Sequence, residues 1–337
     1  MRKKKMARVV QAALGLAAGA ALACNLLAQL SATPPPATAA PALPPTAPPL
    51  TAPPEATLAP TAISHAMRPD SPGGAEGFII DTNSQKTGAQ GRAPGGESYQ
   101  INRFERPFTA QSMQYLGYLD IGRAEIDRNG AWFYVTLFLQ GVPPAEAIGQ
   151  AAYGVEVDTD LDGRGDALVW ALAPGTSEWT TDGVQVWQDV NKDVGGPNPL
   201  ASDPGRGGTG YETLLFNRGV GPDPDMAWVR MAPGNAAAVQ IAFKSTALNG
   251  DPSFLWGVWT DGGVRQPGWF DYNDHFTSDQ AGSPLVELKA QYPLKELFAL
   301  DNTCRYAYGF TPSGGEPGMC EIPGLPTATP THVPGLF

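Results

Sequence analysis

Between residues 99 and 260 the chain is a succession of short apolar runs, several of them alternating apolar with polar, each closed by Gly, Pro, Asn or Asp. A period of two is what a strand with one covered face needs, because successive side chains point to opposite faces. The run 121–126 alternates, a turn signal stands at Arg128-Asn129-Gly130, and 131–139 is rich in aromatic and β-branched residues. Asn-Gly between two such runs predicts a β-hairpin. Further strands are predicted at 152–157, 167–172, 184–189, 211–217, 226–231, 237–243 and 254–260. Short strands at near-regular spacing predict an all-β fold, an antiparallel β-sandwich over residues 99–322, rather than alternating βαβ units. Helical signals are few and short, at 144–150 and 277–281, and 292–300 reads equally as helix or strand. Residues 67–98 are rich in Gly, Ser, Pro and Asn around one apolar group, Phe78-Ile79-Ile80, and predict an irregular lead-in with an edge strand at most.

The two ends follow other rules. The first eight residues hold Arg2, Lys3, Lys4, Lys5 and Arg8 with no acid, and an apolar stretch then leads to Ala21-Leu22-Ala23-Cys24. A charged start, a short apolar stretch and small residues before a cut predict a secretory signal over residues 1–23. The Cys24 context resembles the lipobox of bacterial lipoproteins, departing from it at Ala21, where that family prefers Leu. The resemblance implies lipidation of Cys24 and a membrane partner through that lipid. Cleavage by ordinary signal peptidase, giving a secreted protein, and an uncleaved anchor interrupted by Asn25 and Gln29 are the alternatives. Residues 24–66 are then a Pro/Ala/Thr-rich linker, which cannot build a core because Pro fixes φ and lacks an amide donor. It would hold a domain off a surface. Residues 323–337, with Pro323, Pro326 and Pro330, predict a disordered tail.

Charge changes the picture in one respect. Seventeen bases face 33 acids once the signal is removed, a formal −16. Such a surface excludes ordinary nucleic-acid binding, which needs a basic face, and suits an extracellular, cell-surface protein that recruits cations. Apart from Cys24 the chain has Cys304 and Cys320, which predict a disulfide in an oxidising compartment, free thiols being the alternative.

The acids are not evenly spread. Asp158, Asp160, Asp162 and Asp166 stand in the pattern D-x-D-x-D-G-x-x-D between two predicted strands. Calcium takes six to eight oxygens, and alternate aspartates curled by Gly163 supply them, with the Arg164 carbonyl as a further donor. The pattern resembles the calcium hairpins of integrin α-subunit propellers and, more distantly, EF-hand and dockerin loops, whose closing Glu is replaced here by Val169. Calcium is the cofactor this implies, in a structural role; an acidic turn without metal is the alternative. Asp189, Asn191 and Asp193 form a weaker second candidate, whose Gly195 comes one place late. Asp223-Pro224-Asp225 reads as a turn.

Aromatic residues collect at Trp256, Trp259, Trp269, Phe270, Tyr272 and Phe276, beside His275. Trp256 and Trp259 fall on opposite faces of a predicted strand. Trp269, Phe270 and Tyr272 lie in a Gly/Pro loop and form a candidate ligand platform, set against simple packing. His275 reads as a hydrogen-bonded loop histidine. No nucleophile elbow, zinc-protease helix, P-loop or dinucleotide fingerprint is present, so no catalytic residue is predicted. Glu125, Glu156 and Glu212 stay open as a carboxylate hydrolase's acids, because glycosidase pairs leave no local signature.

Over about residues 115–260, Asp120-Ile121, then Gly130-Ala131-Trp132-Phe133-Tyr134-Val135, then Glu156-Val157-Asp158 resemble the DOMON-like sandwiches of bacterial envelope proteins. That group includes family 9 carbohydrate-binding modules. The resemblance implies a sandwich that binds sugars or haem, with no ligand residue that maps onto this chain. Three functions follow as expectations: a tethered non-catalytic module for carbohydrate or cell-wall material, a structural or adhesive envelope protein stiffened by calcium, or an unrecognised hydrolase.

Overall fold

The computed structural model describes residues 63–92, 102–110, 112–195, 209–270, 272–282 and 294–321, all within the second of two units, Pro60–Phe337. The signal, Cys24, nearly all of the linker and the tail lie outside the described residues.

The described strands are β1 (Gly77–Ile80), β2 (Glu105–Arg106), β3 (Ile121–Asn129), β4 (Trp132–Leu139), β5 (Ala152–Asp158) and β6 (Ala167–Leu172). They continue with β7 (Val184–Gln188), β8 (Thr213–Asn217), β9 (Ala227–Ala232), β10 (Asn235–Lys244), β11 (Phe254–Asp261), β12 (Leu300–Asn302) and β13 (Tyr306–Tyr308). Helices are single turns: α1 (Gln85–Gly88), α2 (Tyr272–His275) and α3 (Ser278–Ala281). One sheet runs β1-β3-β4-β10-β9; the other runs β2-β12-β11-β5-β6-β7-β8, with β13 also paired to β11. The strand pairs are antiparallel, so the expected all-β sandwich is the observed one.

Register decides which residues build the core. In β4, Phe133, Val135, Leu137 and Leu139 face the second sheet, which answers with Tyr153, Val155 and Val157 of β5 and Phe254, Trp256 and Val258 of β11. The alternate β4 residues Trp132 and Tyr134 point the other way and pack with Trp179 and Trp228 in a small outer cluster. The β3–β4 turn leaves Asn129 paired with Trp132, with Gly130 (φ +63°) and Ala131 between them. The hairpin expected from Asn-Gly forms, one residue further along.

The second sheet is covered on both faces. All seven residues of β5 are buried. Its outer face carries Phe104, Leu168, Trp170, Tyr211, Trp259, Phe270 and Tyr272. Trp256 and Trp259 do fall on opposite faces of β11, and both are buried, because a second core waits on the far side. The lead-in supplies β1, paired along β3 from Gly77↔Ile126 to Ile80↔Arg123. The ambiguous 292–300 segment is irregular where described until it joins β12 at Leu300.

Candidate functional site

The aspartate loop joins β5 to β6 at one end of the doubly covered sheet. Asp158 is the last residue of β5 and is fully buried. Its Oδ1 accepts the Leu161 amide at 2.6 Å and its Oδ2 the Gly163 amide at 2.9 Å, curling the chain around the carboxylate. Leu161 (φ +64°) and Gly163 (φ +93°) take left-handed conformations to do so. Asp166 closes the loop, with Oδ2 accepting the Thr159 amide at 2.6 Å and the Asp160 amide at 3.2 Å. Oxygens of Asp158, Asp160 and Asp166 lie within 4.8 Å of one another. Asp162 is exposed, outside that trio, and accepts the Arg164 amide at 2.8 Å. The Arg164 guanidinium reaches across to the Val194 carbonyl at 2.7 Å.

Val194 belongs to the second aspartate loop, which repeats the first half of the pattern. Asp189 Oδ1 accepts the Lys192 amide at 2.7 Å, Oδ2 accepts the Val194 amide at 2.9 Å, and Lys192 takes φ +62°. Asn191 accepts the Asp193 amide at 3.2 Å, as Asp160 accepts that of Asp162 at 3.3 Å. Asp193 turns instead to the Thr209 amide. The loops are docked: the Asp189 amide donates to the Asp166 carbonyl at 3.0 Å, and Lys192 Nζ pairs with Asp160 and lies 3.8 Å from Asp166 Oδ1. A lysine of the weaker loop thus supplies positive charge to the stronger one.

Behind Asp158 lies a buried network that sequence reasoning missed. Glu156 accepts the Tyr211 hydroxyl at 2.7 Å, the Trp259 indole N–H at 3.1 Å and Arg305 at 3.0 Å. Arg305 also lies 3.7 Å from Asp158 Oδ2. Burial lifts Asp158 to about 6 although Arg305 pulls the other way. Burial alone would lower Arg305, but Glu156 and then Asp158 outweigh it and hold the guanidinium above its ordinary value. Gly165 touches this network so closely that a Cβ there would meet the Tyr211 hydroxyl and the Glu156 carboxylate. Cys304, next to Arg305, is bonded to Cys320 with 4.9 Å between the Cα atoms, so the expected disulfide sits beside the network. The one local signal was that adjacency of Cys304 and Arg305 in the sequence.

The aromatic platform is corrected. Phe270 and Tyr272 are buried, packed on Trp259 at centroid distances of 5.1 and 5.4 Å, and Tyr272 donates to Asp261 at 2.6 Å. Trp269 alone of the three is exposed, stacked against His275 at 5.4 Å. The loop folds inward because the outer face of β11 needs covering. The hydrolase carboxylates do not pair either. Glu156 is enclosed by three donors, Glu125 bonds Arg123, and Glu212 accepts the Val190 amide at 2.8 Å. Asp223 caps the Asp225 amide and pairs with Lys244 at 2.8 Å, as expected of a turn.

Compared with protein-family models, curated proteins and solved structures, the chain matches none of them. The sandwich therefore stands on its own strand pairing, and the function on the chemistry of the sites.

Proposed function

We propose that the protein is an exported, surface-tethered β-sandwich whose 158–166 hairpin binds calcium, and that it acts as a calcium-stiffened structural or adhesive domain without catalysis. The supporting observation is the convergence of Asp158, Asp160 and Asp166 at a hairpin tip whose turns are already set by backbone amides. Asp162 and the Arg164 carbonyl would complete an oxygen set suited to calcium. The ion would hold the tip against Glu156, Arg305 and the disulfide-closed segment, so its effect would spread into the sheet. The signal, the lipid at Cys24 and the Pro-rich linker complete this reading as the tether. A calcium titration followed by thermal unfolding tests it: stabilisation in the wild type should be reduced by Asp160→Ala with Asp162→Ala, and equal stabilisation in both refutes it.

The carbohydrate reading keeps one observation, the exposed Trp269 ring backed by His275. A single ring is a weaker platform than three. Polysaccharide pull-down with wild type and Trp269→Ala decides it: calcium-dependent retention lost in the variant would favour a binding module over a purely structural one.

A further inference from the structure

A second group of carboxylates lies toward the opposite end of the same sheet, about five residues along β5, or ~17 Å, from Asp158. Glu105 of β2 and Asp301 of β12 are direct cross-strand neighbours, 1% and 0% exposed. Like charges facing each other across a ladder are destabilising, and more so when buried. Asp81, just past β1, brings a third carboxylate, and one oxygen from each of the three lies within 4.8 Å of the others. Asp120, just before β3, is also fully buried.

Hydrogen bonds orient Asp301 and Asp120 and leave one oxygen of each without a partner. Asp301 Oδ2 accepts the Ile121 amide at 2.8 Å; its other oxygen, Oδ1, is buried and has no hydrogen-bond partner. Asp120 Oδ2 accepts the Ser84 amide at 2.9 Å and the Tyr115 hydroxyl at 2.7 Å, while Asp120 Oδ1 is likewise buried and unpartnered. Ser84 Oγ donates to Glu105 Oε1 at 2.5 Å, linking the two acids. The neighbouring buried cation, Arg106, points to the other face of β2, where it donates to the carbonyls of Ala281, Leu297 and Gly282. Burial, then Glu105, Asp81 and Asp120, push Asp301 well above the carboxylate range.

We propose that Asp81, Glu105 and Asp301, with Asp120 beside them, form a buried site for a hard divalent cation, which pins the β2–β12 edge of one sheet to the β1–β3 edge of the other. An all-oxygen, all-carboxylate set selects calcium or magnesium over zinc or copper, which favour nitrogen and sulfur. The site is independent of the hairpin: its ligands come from four separate segments, so it can form only after the sheets have closed.

The test uses the full chain carrying Asp160→Ala and Asp162→Ala, which removes the hairpin site from the count. Elemental analysis after dialysis against metal-free buffer should find about one divalent cation per chain, falling to near none when Asp301→Asn is added. Chelation should lower the melting temperature of the hairpin variant by an amount on the order of 5 °C. If Asp301→Asn does not fold, Glu105→Gln takes its place, and the chelator response of the parent variant is read without either. No retained metal and no chelator response in the hairpin variant would overturn the proposal, as would metal content unchanged by Asp301→Asn or Glu105→Gln. In the metal-free case Asp301→Asn should instead stabilise the chain by relieving repulsion.

Discussion

The two aspartate loops begin alike and end differently. In each, the leading aspartate gathers the amides three and five residues on, around a left-handed residue, Leu161 in one and Lys192 in the other. The divergence comes at the sixth position. Gly163 takes φ +93° and turns the chain back, so that Asp166 returns to the leading carboxylate. Val194 stands there in the second loop, buried in the outer core, and the ninth position is Pro197 rather than Asp. One loop closes a ring of oxygens; the other is a turn that anchors a core residue and lends its lysine to the first. A shared hydrogen-bond pattern therefore does not make a shared site. The residue that lets the chain return does.

The largest effect should come from Asp158→Ala. It strips two amide acceptors and leaves Arg305 with one buried partner fewer, which should cost ~3 kcal/mol or more, against ~1–2 kcal/mol for Asp189→Ala. Equal costs, read by urea denaturation, would erase the distinction between the loops. Next comes Gly165→Ala, where the new Cβ would push on Tyr211 and Glu156 and should cost ~2 kcal/mol or more; Gly195→Ala in the second loop serves as the comparison. Gly163→Ala should cost ~1–2 kcal/mol through backbone strain and weaken calcium binding, while Val194→Gly should destabilise without creating a second calcium site. Lys192→Met should change stability by less than ~1 kcal/mol, since the pair is exposed, yet tighten calcium binding at the first loop severalfold. Isothermal titration at two salt concentrations reads that change, and it should shrink at high salt.

The smallest effect lies outside both loops. Burial tends to raise Asp225, but the Met67 amide, His65 and the Ala66 amide pull it back further, and its pKa lies below the ordinary carboxylate value. A carboxyl depressed in the folded state contributes stability above its unfolded pKa, roughly 4, and loses it as pH falls through the folded value. The protection of the Ala66 and Met67 amides, measured as exchange relative to the intrinsic rate at each pH, should therefore fall on acidification below about pH 4, and Asp225→Asn should abolish that step.

Much of the fold was legible because strands announce themselves by alternation. The runs around 121–139, 152–157, 167–172 and 254–260 fall on β3, β4, β5, β6 and β11 within a residue or so, apart from the C-terminal extension of β3. Less legible were β2, β12 and β13, two or three residues each, which are strands only because β11 and one another offer partners. Burial was misjudged for the same reason. Phe270 and Tyr272 looked exposed in a Gly/Pro loop, and nothing local reveals that the sheet beneath them has a second face to cover. At the hairpin, spacing showed the aspartates and the glycine. It did not show Arg305, Tyr211 or Lys192, which stand 26 to 139 residues beyond Asp166 and are joined to the loop and the network behind it only by folding.

Calcium-dependent thermal unfolding of the chelator-treated chain, wild type beside the Asp160→Ala, Asp162→Ala variant, tests the central claim most directly. The account predicts that calcium raises the wild-type midpoint by several degrees more than that of the variant. The same calcium response in both proteins would contradict it.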